Sequence, residues 1–233
     1  ELDAFIQKGM QDWEGLGLSV VVVKDGETVF SKGYGLTTLE GGREVNEETL
    51  MAMGSTTKAV TALAIGMLVD EGRLDWDDKV IRYLPWFRVA DSWITAELTI
   101  RDLLTHRAGF GNADFLWTIA DWSTREILER MQHAETVYPF RSGYIYQNIM
   151  YAAAGELIHA VSGLPWEDFL STRIFKPLGM NRTFAFYRDV KDMDNVVLPH
   201  DKVDGQLAVI PMVSADAIGA AGSLMSCTWD MAI

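Results

Sequence analysis

The chain has 233 residues, of which 48% are apolar and 23% charged, a composition typical of globular proteins and unlike that of disordered or fibrous chains. Its formal net charge of −13 opposes binding to phosphate backbones and to anionic membranes, so we exclude nucleic acid as a partner. The single cysteine, Cys227, excludes an internal disulfide, and no apolar run reaches the roughly 20 residues that a membrane-spanning helix needs.

The N-terminal part of the sequence predicts a helix followed by an antiparallel hairpin. Apolar residues recur at helical spacing over residues 2–13. Residues 19–24 and 28–32 are typical of two strands, and the Asp25-Gly26 pair between them is typical of a tight hairpin turn. An antiparallel sheet therefore begins early in the chain.

The rest of the sequence predicts mainly helices. We expect them at about 55–71 with Gly72 after the last turn, at 98–104 with Gly109 as terminator, and at 124–132, 149–162 and 166–175, before Pro177 breaks the chain. Strands followed by helices predict an α+β fold, in which an antiparallel sheet is flanked by helices and a largely helical second region carries the active-site cleft. We expect one domain over 1–233, with the helix and hairpin in 1–50 and the helical region in 51–233.

Ser55 and Lys58 form an S-x-x-K pattern at the start of the helix predicted at 55–71. Residues three apart lie on one helix face with Cβ atoms about 5–6 Å apart, so the hydroxyl and the amine can meet. The helix N-terminus and apolar neighbours disfavour a protonated lysine, and a neutral amine could accept the serine proton. Taken alone, the pattern is common by chance and favours a serine N-cap beside an exposed lysine.

Tyr146 and Asn148 flank Gln147 just before the helix predicted at 149–162. In an extended segment residues two apart point to the same side, so a phenol and an amide could face a common partner. The phenol can relay a proton, and the amide can orient an amine or a substrate carbonyl. The competing interpretation is an asparagine cap beside a packed tyrosine.

Other reactive side chains form no complete motif. The four histidines lack metal-binding spacing, so no metal site is predicted, and G-x-S-x-G, Walker and dinucleotide glycine patterns do not occur in the sequence. His106 could be a catalytic base, but a histidine satisfied by backbone contacts is more common at a helix end. Cys227 is expected to be a small buried residue rather than a nucleophile.

The stretch 111–145 is rich in aromatic residues that do not follow a periodic stripe. It forms either a pocket wall or plain core, and we take Phe115, Trp117 and Tyr144 as candidate substrate-binding residues.

The order of these motifs resembles the serine penicillin-recognising superfamily, which contains class C β-lactamases, D-alanyl-D-alanine carboxypeptidases, D-aminopeptidases and related esterases. The matching stretches cover nearly the whole chain and are residues 53–58, 72–78, 84–85, 98–106, 146–148, 174–180, 221–224 and 230–232. The resemblance implies a β-lactamase/transpeptidase-like fold. Residues 138–143 are more similar to the substrate-undefined serine hydrolases of the superfamily than to a dedicated β-lactamase.

The resemblance implies an acyl-enzyme mechanism that needs no cofactor. Ser55 would attack a carbonyl, Lys58 and Tyr146 would jointly transfer the protons, and Asn148 would hold Lys58 and the substrate amide. Small esters, amides, β-lactams or short peptides would be the substrates. Family members are often exported, which favours a periplasmic or extracellular location, whereas the oligomeric state does not follow from the sequence.

One motif of the superfamily, K-T-G or H-x-G, is expected after Asp230-Met231 and does not occur from Thr183 onward. We therefore expect the 233 residues to be part of a longer protein whose C-terminal strands and helix are missing. The missing motif also leaves an alternative function open, namely a non-catalytic module that binds a peptide or cell-wall ligand in the same cleft.

Overall fold

The computed structural model describes residues 1–119 and 121–233. Its helices in chain order are α1 (Leu2–Asp12), α2 (Thr57–Asp70), α3 (Val80–Tyr83), α4 (Ser92–Glu97), α5 (Ile100–Leu104), α6 (Phe115–Thr118), α7 (Thr124–Arg130), α8 (Asn148–Ser162), α9 (Trp166–Leu170), α10 (Lys176–Leu178), α11 (Gly219–Gly222) and α12 (Thr228–Met231). The strands are β1 (Gly17–Lys24), β2 (Glu27–Gly35), β3 (Met51–Ala52), β4 (His200–Val203), β5 (Gln206–Val209) and β6 (Met225–Ser226). The predicted α+β class is confirmed. Within the described ranges, every helix is too short or too polar to cross a membrane.

The chain forms two compact units. The first contains Glu1–Ala52, Phe175–Val213 and Met225–Ile233, and the second contains Met53–Ile174 and Ser214–Leu224. Each unit is thus assembled from segments that are distant in the chain. The expected division at 1–50 and 51–233 within one domain stays a prediction.

The first unit is built on antiparallel strand pairs. β1 pairs with β2 over the full hairpin, as predicted, and β3 pairs with β6 and β4 with β5. Asp25 and Gly26 both adopt a positive φ at the hairpin turn, which matches the right-handed twist of the two strands. Beside β3 and β6, Leu50, Val190 and Met225 form a small buried cluster that also contains Cys227, which is buried as expected.

The second unit is organised around α8, which contacts α2, α5, α9 and α11. Its residues Ile149, Ala153 and Leu157 are fully buried. Gly155 lets α11 approach closely, because a Cβ at this position would lie 2.8 Å from the Cβ of Ala220. This approach brings the backbone of α11 next to the helices that carry the candidate catalytic residues.

The helix expected at 98–104 is shorter than predicted and does not end at Gly109. It begins at Ile100 because Thr99 and Asp102 form a reciprocal capping box at its N-terminus. It ends at Leu104, and His106 then takes a left-handed backbone conformation with φ of 59°. The terminator is therefore a histidine whose own contacts, described below, hold it in that conformation.

The segment around Pro177 also differs from expectation. The helix predicted at 166–175 consists of α9 and a π-helical turn, Ser171–Phe175. Pro177 then lies in the first turn of α10 instead of breaking the chain. A proline is tolerated there because backbone N–H groups in the first helical turn have no intrahelical acceptor.

Asp102 anchors the segment that leads to Tyr146. Arg141 donates from Nε to Asp102 Oδ1 at 2.9 Å and from Nη2 to Oδ2 at 2.5 Å. Burial raises the pKa of Asp102, but the Arg141 guanidinium and the hydrogen bonds from Thr99 lower it by more, so the net pKa lies below its ordinary value. The side chain of Asp102 is 7% exposed and that of Arg141 is 43% exposed, so this ion pair is screened less than one between two exposed side chains.

We expect Asp102→Asn to destabilise the protein by about 2 kcal/mol at pH 7, because a buried charge-assisted hydrogen-bond pair is lost. Since the folded pKa is lowered, the contribution is complete above the ordinary carboxyl pKa and is lost as the pH falls through the folded value. The difference between wild type and variant in urea unfolding should therefore shrink between pH 7 and pH 3. Asp77→Asn, which breaks the exposed pair with Arg101, is the matched control and should cost much less. A constant difference for Asp102→Asn across that pH range would contradict the assignment.

Candidate active site

Ser55 lies in the 3-10 turn Gly54–Thr56, directly before α2. Its side chain caps neither the turn nor the helix, so the N-cap interpretation does not describe this serine. The hydroxyl is exposed and hydrogen-bonds with two side chains, Lys58 and Tyr146. Both partners carry groups that are able to exchange a proton with a hydroxyl.

Lys58 is buried, with 7% of its surface exposed. Its amine donates to Ser55 Oγ at 3.1 Å, to Asn148 Oδ1 at 2.7 Å and to the backbone carbonyl of Ala221 at 2.7 Å. An ammonium group has three N–H donors, so these three acceptors match its full capacity. The alternative of an exposed first-turn lysine is therefore wrong.

The environment of Lys58 favours the neutral amine more than water does. Burial lowers its pKa, while Tyr146 and the charge of Asp114 act in the opposite direction, and the net pKa is below the ordinary value of 10.5. The amine also lies 4.7 Å from the centre of the Tyr146 ring and 5.3 Å from that of Tyr151. A lowered pKa makes this lysine a better proton acceptor near neutral pH than an exposed one.

The acceptor from Ala221 depends on how α2 meets α11. Two side chains one turn apart on α2, Thr61 and Lys58, donate to consecutive backbone carbonyls of α11, those of Ala220 and Ala221. Trp166 donates its indole N–H to Thr61 Oγ1 at 3.1 Å. The helix pair thus fixes the carbonyl that holds the lysine.

Tyr146 and Asn148 point to the same side of the chain, as the spacing predicts, and both lie next to Lys58. Gln147 between them is extended, with φ of −133° and ψ of 112°, so the side chains on either side of it share a face. Tyr146 hydrogen-bonds to Ser55 and Asn148 accepts from Lys58. Asn148 is the first residue of α8 and makes no capping bond, so the cap interpretation does not apply.

Gln147 points the other way and anchors the segment. Its amide nitrogen donates to the carbonyls of Phe110 at 2.6 Å and Gly111 at 2.9 Å, and its side chain is buried. Its backbone N–H donates to Nδ1 of His106 at 3.0 Å. These contacts of Gln147 therefore fix the extended conformation that aligns Tyr146 with Asn148.

His106 has the structural role rather than that of a base. Its ring accepts the N–H of Gln147 and lies 4.6 Å from the Tyr146 ring, centre to centre. Because Nδ1 accepts a hydrogen bond, the imidazole is neutral in this arrangement. Burial and the nearby charge of Lys58 lower the pKa of His106, which favours the same neutral form.

The three candidate substrate-binding aromatics lie in different surroundings. Phe115 is 57% exposed and lines a surface cleft of about 470 Å³ together with residues such as Leu116 and Arg130. Trp117 donates its indole N–H to Asp114 at 3.0 Å, and Tyr144 is exposed, with its ring in a T-shaped contact with that of His106. Their role in substrate binding stays a prediction. Residue 120 of the aromatic stretch lies outside the described residues.

Asp114 is the residue that the sequence did not indicate. Its carboxylate accepts from Asn148, which in turn holds Lys58. The available signal was one of five acidic residues in the aromatic-rich stretch 111–145, two positions after Asn112. That signal is weak, because such Asx pairs are common in loops.

The His106 contact predicts a measurable pH effect. Since the folded pKa of His106 is lowered, the unfolded chain takes up a proton first, and stability should fall as the pH decreases below about 6.5. His106→Asn, which tolerates the left-handed backbone, should lack this component when urea unfolding is compared at pH 7.5 and pH 5. The exposed His133 provides the control, since His133→Asn should keep the wild-type pH dependence. Identical pH dependence in wild type and His106→Asn would contradict the role given to His106.

Comparisons with known proteins agree in family and fold. The family model described as Beta-lactamase matches residues 2–233. The chain is 31% identical over 235 residues to unguisins hydrolase ungD' of Aspergillus campestris, covering 95% of this chain and 43% of that protein. It is 30% identical over 195 residues to esterase EstB of Burkholderia gladioli, covering 77% of this chain and 49% of that protein.

Among solved structures, the octameric penicillin-binding protein homologue from Pyrococcus abyssi matches with a TM-score of 0.87 and 30% identity, covering 99% of this chain and 54% of that one. This match confirms the β-lactamase/transpeptidase-like fold. The chain spans about half the length of these relatives. Since the family model matches nearly every residue and relatives over most of the chain include a hydrolase and an esterase, the chain belongs to the Beta-lactamase family.

Proposed function

We propose that this protein is a serine hydrolase that forms an acyl-enzyme on Ser55. The observation that carries the proposal is the pair of hydrogen bonds that Ser55 Oγ accepts, one from the buried amine of Lys58 and one from the Tyr146 hydroxyl. A nucleophilic serine needs a group that takes its proton as it attacks, and two such groups are in contact with it.

Each side chain regains its starting protonation state after one catalytic cycle. Ser55 Oγ forms a bond to the substrate carbonyl carbon while its proton passes to the Lys58–Tyr146 pair. Tyr146 then delivers a proton to the departing alcohol or amine as the carbonyl–leaving-group bond breaks. Water attacks the acyl-enzyme, loses a proton to the same pair, and that proton returns to Ser55 when the acid is released. The cycle requires only proton transfers among these side chains.

The lowered pKa of Lys58 supports its role as a general base, because the neutral amine is the form that accepts the serine proton. Asn148 supports it by accepting from the same amine, which keeps Nζ directed at Ser55 when the proton moves. Tyr146 is better placed than Lys58 to protonate the leaving group, since its hydroxyl also contacts Ser55 and its side chain is not buried.

The developing negative charge on the carbonyl oxygen needs hydrogen-bond donors. We assign one donor to the backbone N–H of Ser55, in the turn that opens into α2. The positive end of this 14-residue helix favours an anion there. Removal of one oxyanion donor generally costs about 10²–10³ in rate.

We propose small esters, amides or β-lactams as the substrate class. The relatives named above include an esterase and an unguisins hydrolase, and a further structural match at 25% identity is a D-amino acid amidase from Ochrobactrum anthropi. The exposed ring of Phe115 beside its cleft suits an apolar substituent on such a substrate.

Covalent labelling tests the nucleophile. We expect a fluorophosphonate or a fluorescent penicillin to add one adduct to the protein, located on Ser55 by mass spectrometry of peptides. Ser55→Ala should remain unlabelled, and Thr56→Ala, which changes the neighbouring hydroxyl, should label like the wild type. Failure of both reagents to label the wild type would contradict the enzyme proposal and would favour a non-catalytic binding module.

Replacement of the lysine tests the base. We expect Lys58→Ala to lose acylation by at least about 10²-fold, since general-base assistance contributes about 10²–10⁴. Circular dichroism should show that the fold is retained, and the exposed Lys24→Ala is the matched control with wild-type labelling. A folded Lys58→Ala variant that acylates at the wild-type rate would overturn the assignment of Lys58.

A further inference from the structure

The half-buried carboxylate of Asp114 contacts Asn148 on the side opposite Lys58. Asn148 donates from Nδ2 to both oxygens of Asp114, at 3.1 and 3.0 Å, while its Oδ1 accepts from Lys58 at 2.7 Å. The amide therefore connects the carboxylate to the amine. We propose that Asp114 is a positioning residue that locks the Asn148 amide with its oxygen toward Lys58. This inference rests on the proposed function, in which Lys58 serves Ser55.

The chemistry of the two groups permits one orientation of the amide. An ionised carboxylate only accepts hydrogen bonds, so the NH₂ side of Asn148 must face Asp114. The carbonyl side then faces Lys58, which needs an acceptor. Without the carboxylate, the amide could rotate by 180° and present its NH₂ group to the amine. Lys58 would lose an acceptor and would no longer be held toward Ser55.

Asp114 is itself held in place. Trp117 donates its indole N–H to Oδ1 at 3.0 Å, and Asn112 donates its amide to Oδ2 at 3.1 Å. The backbone N–H of Asp114 donates to Asn112 Oδ1 at 2.9 Å, which fixes the backbone from which the Asp114 side chain projects. With Asn148 included, three side chains donate to this carboxylate. Because Trp117 and Asn112 hold the Asp114 carboxylate in place, the carboxylate can in turn fix the orientation of the Asn148 amide.

The charge of Asp114 also reaches Lys58. Tyr146 and Tyr151 face the amine with their rings, and His106 is close enough that the lysine charge lowers its pKa. The carboxylate of Asp114 raises the pKa of Lys58, against the larger effect of burial. Asp114 thus sets both the direction of the lysine and part of its proton affinity.

The test compares Asp114→Asn, which keeps the shape and removes the charge, with Asp70→Asn, which removes an exposed charge at the end of α2. Two readouts are measured for each. The first is the rate of Ser55 acylation by a fluorophosphonate as a function of pH. The second is the titration of the Lys58 side chain by ¹³C NMR of protein with labelled lysine, assigned with Lys58→Ala.

We expect Asp114→Asn to acylate about 10²-fold more slowly, the loss typical of a misplaced catalytic group. Its Lys58 should titrate at lower pH than in the wild type, and the acid limb of the acylation profile should move the same way, because a neighbouring negative charge is gone. Asp70→Asn should change neither readout. A wild-type rate in Asp114→Asn would overturn the proposal, as would a slower rate with an unmoved lysine titration, which indicates structural damage alone.

Two further outcomes are distinguishable. If the wild type fails to acylate, the proposed function fails, while the lysine titration still decides whether Asp114 acts on Lys58. If Asp114→Asn does not fold, Asn112→Ala replaces it, since Asn112 is exposed and its loss frees one side of the carboxylate. Asn112→Ala should then acylate more slowly than the wild type, by less than about 10²-fold, and an unchanged rate would overturn the proposal.

Discussion

The arrangement of the second unit depends on one requirement, which is that a lysine amine taken out of water must find hydrogen-bond acceptors. An unpaired buried ammonium is so costly that a protein either pairs it or neutralises it. Lys58 is given three acceptors of different kinds: a hydroxyl, a side-chain amide and a backbone carbonyl. All three are uncharged, so the amine is satisfied without a direct salt bridge, and its pKa stays below the ordinary value. That combination suits the general-base role proposed for Lys58.

Several ordinary packing features position the three acceptors of Lys58. The close contact at Gly155 allows α11 to bring its carbonyls to α2. The extended backbone at Gln147 turns Asn148 and Tyr146 to the same side. His106 and Asp114 hold that segment and that amide from behind. Each feature is common in protein structures, and together they place the acceptors around Lys58.

The local parts of this arrangement could be predicted from the sequence. The hairpin at Asp25-Gly26, the start of α8 and the shared face of Tyr146 and Asn148 all follow from spacings of a few residues. The end of α5 could not, because the left-handed backbone of His106 is stabilised by the distant Gln147 rather than by a nearby glycine. Asp114 was missed for the same reason, since its partner Asn148 lies 34 positions further along the chain. Periodicity reports which face a residue occupies, but not which distant group will meet it.

The separation of the acceptors along the chain has a consequence for the order in which the protein is made. Lys58 is 90 positions from Asn148 and 163 from Ala221. At about 5–20 residues per second, a ribosome needs on the order of ten seconds or more between the lysine and its last acceptor. During that interval α2 can form, but its lysine stays hydrated, and the burial that lowers its pKa is incomplete. Lys58 is therefore translated early and acquires its last acceptor late, when Ser214–Leu224 joins the second unit.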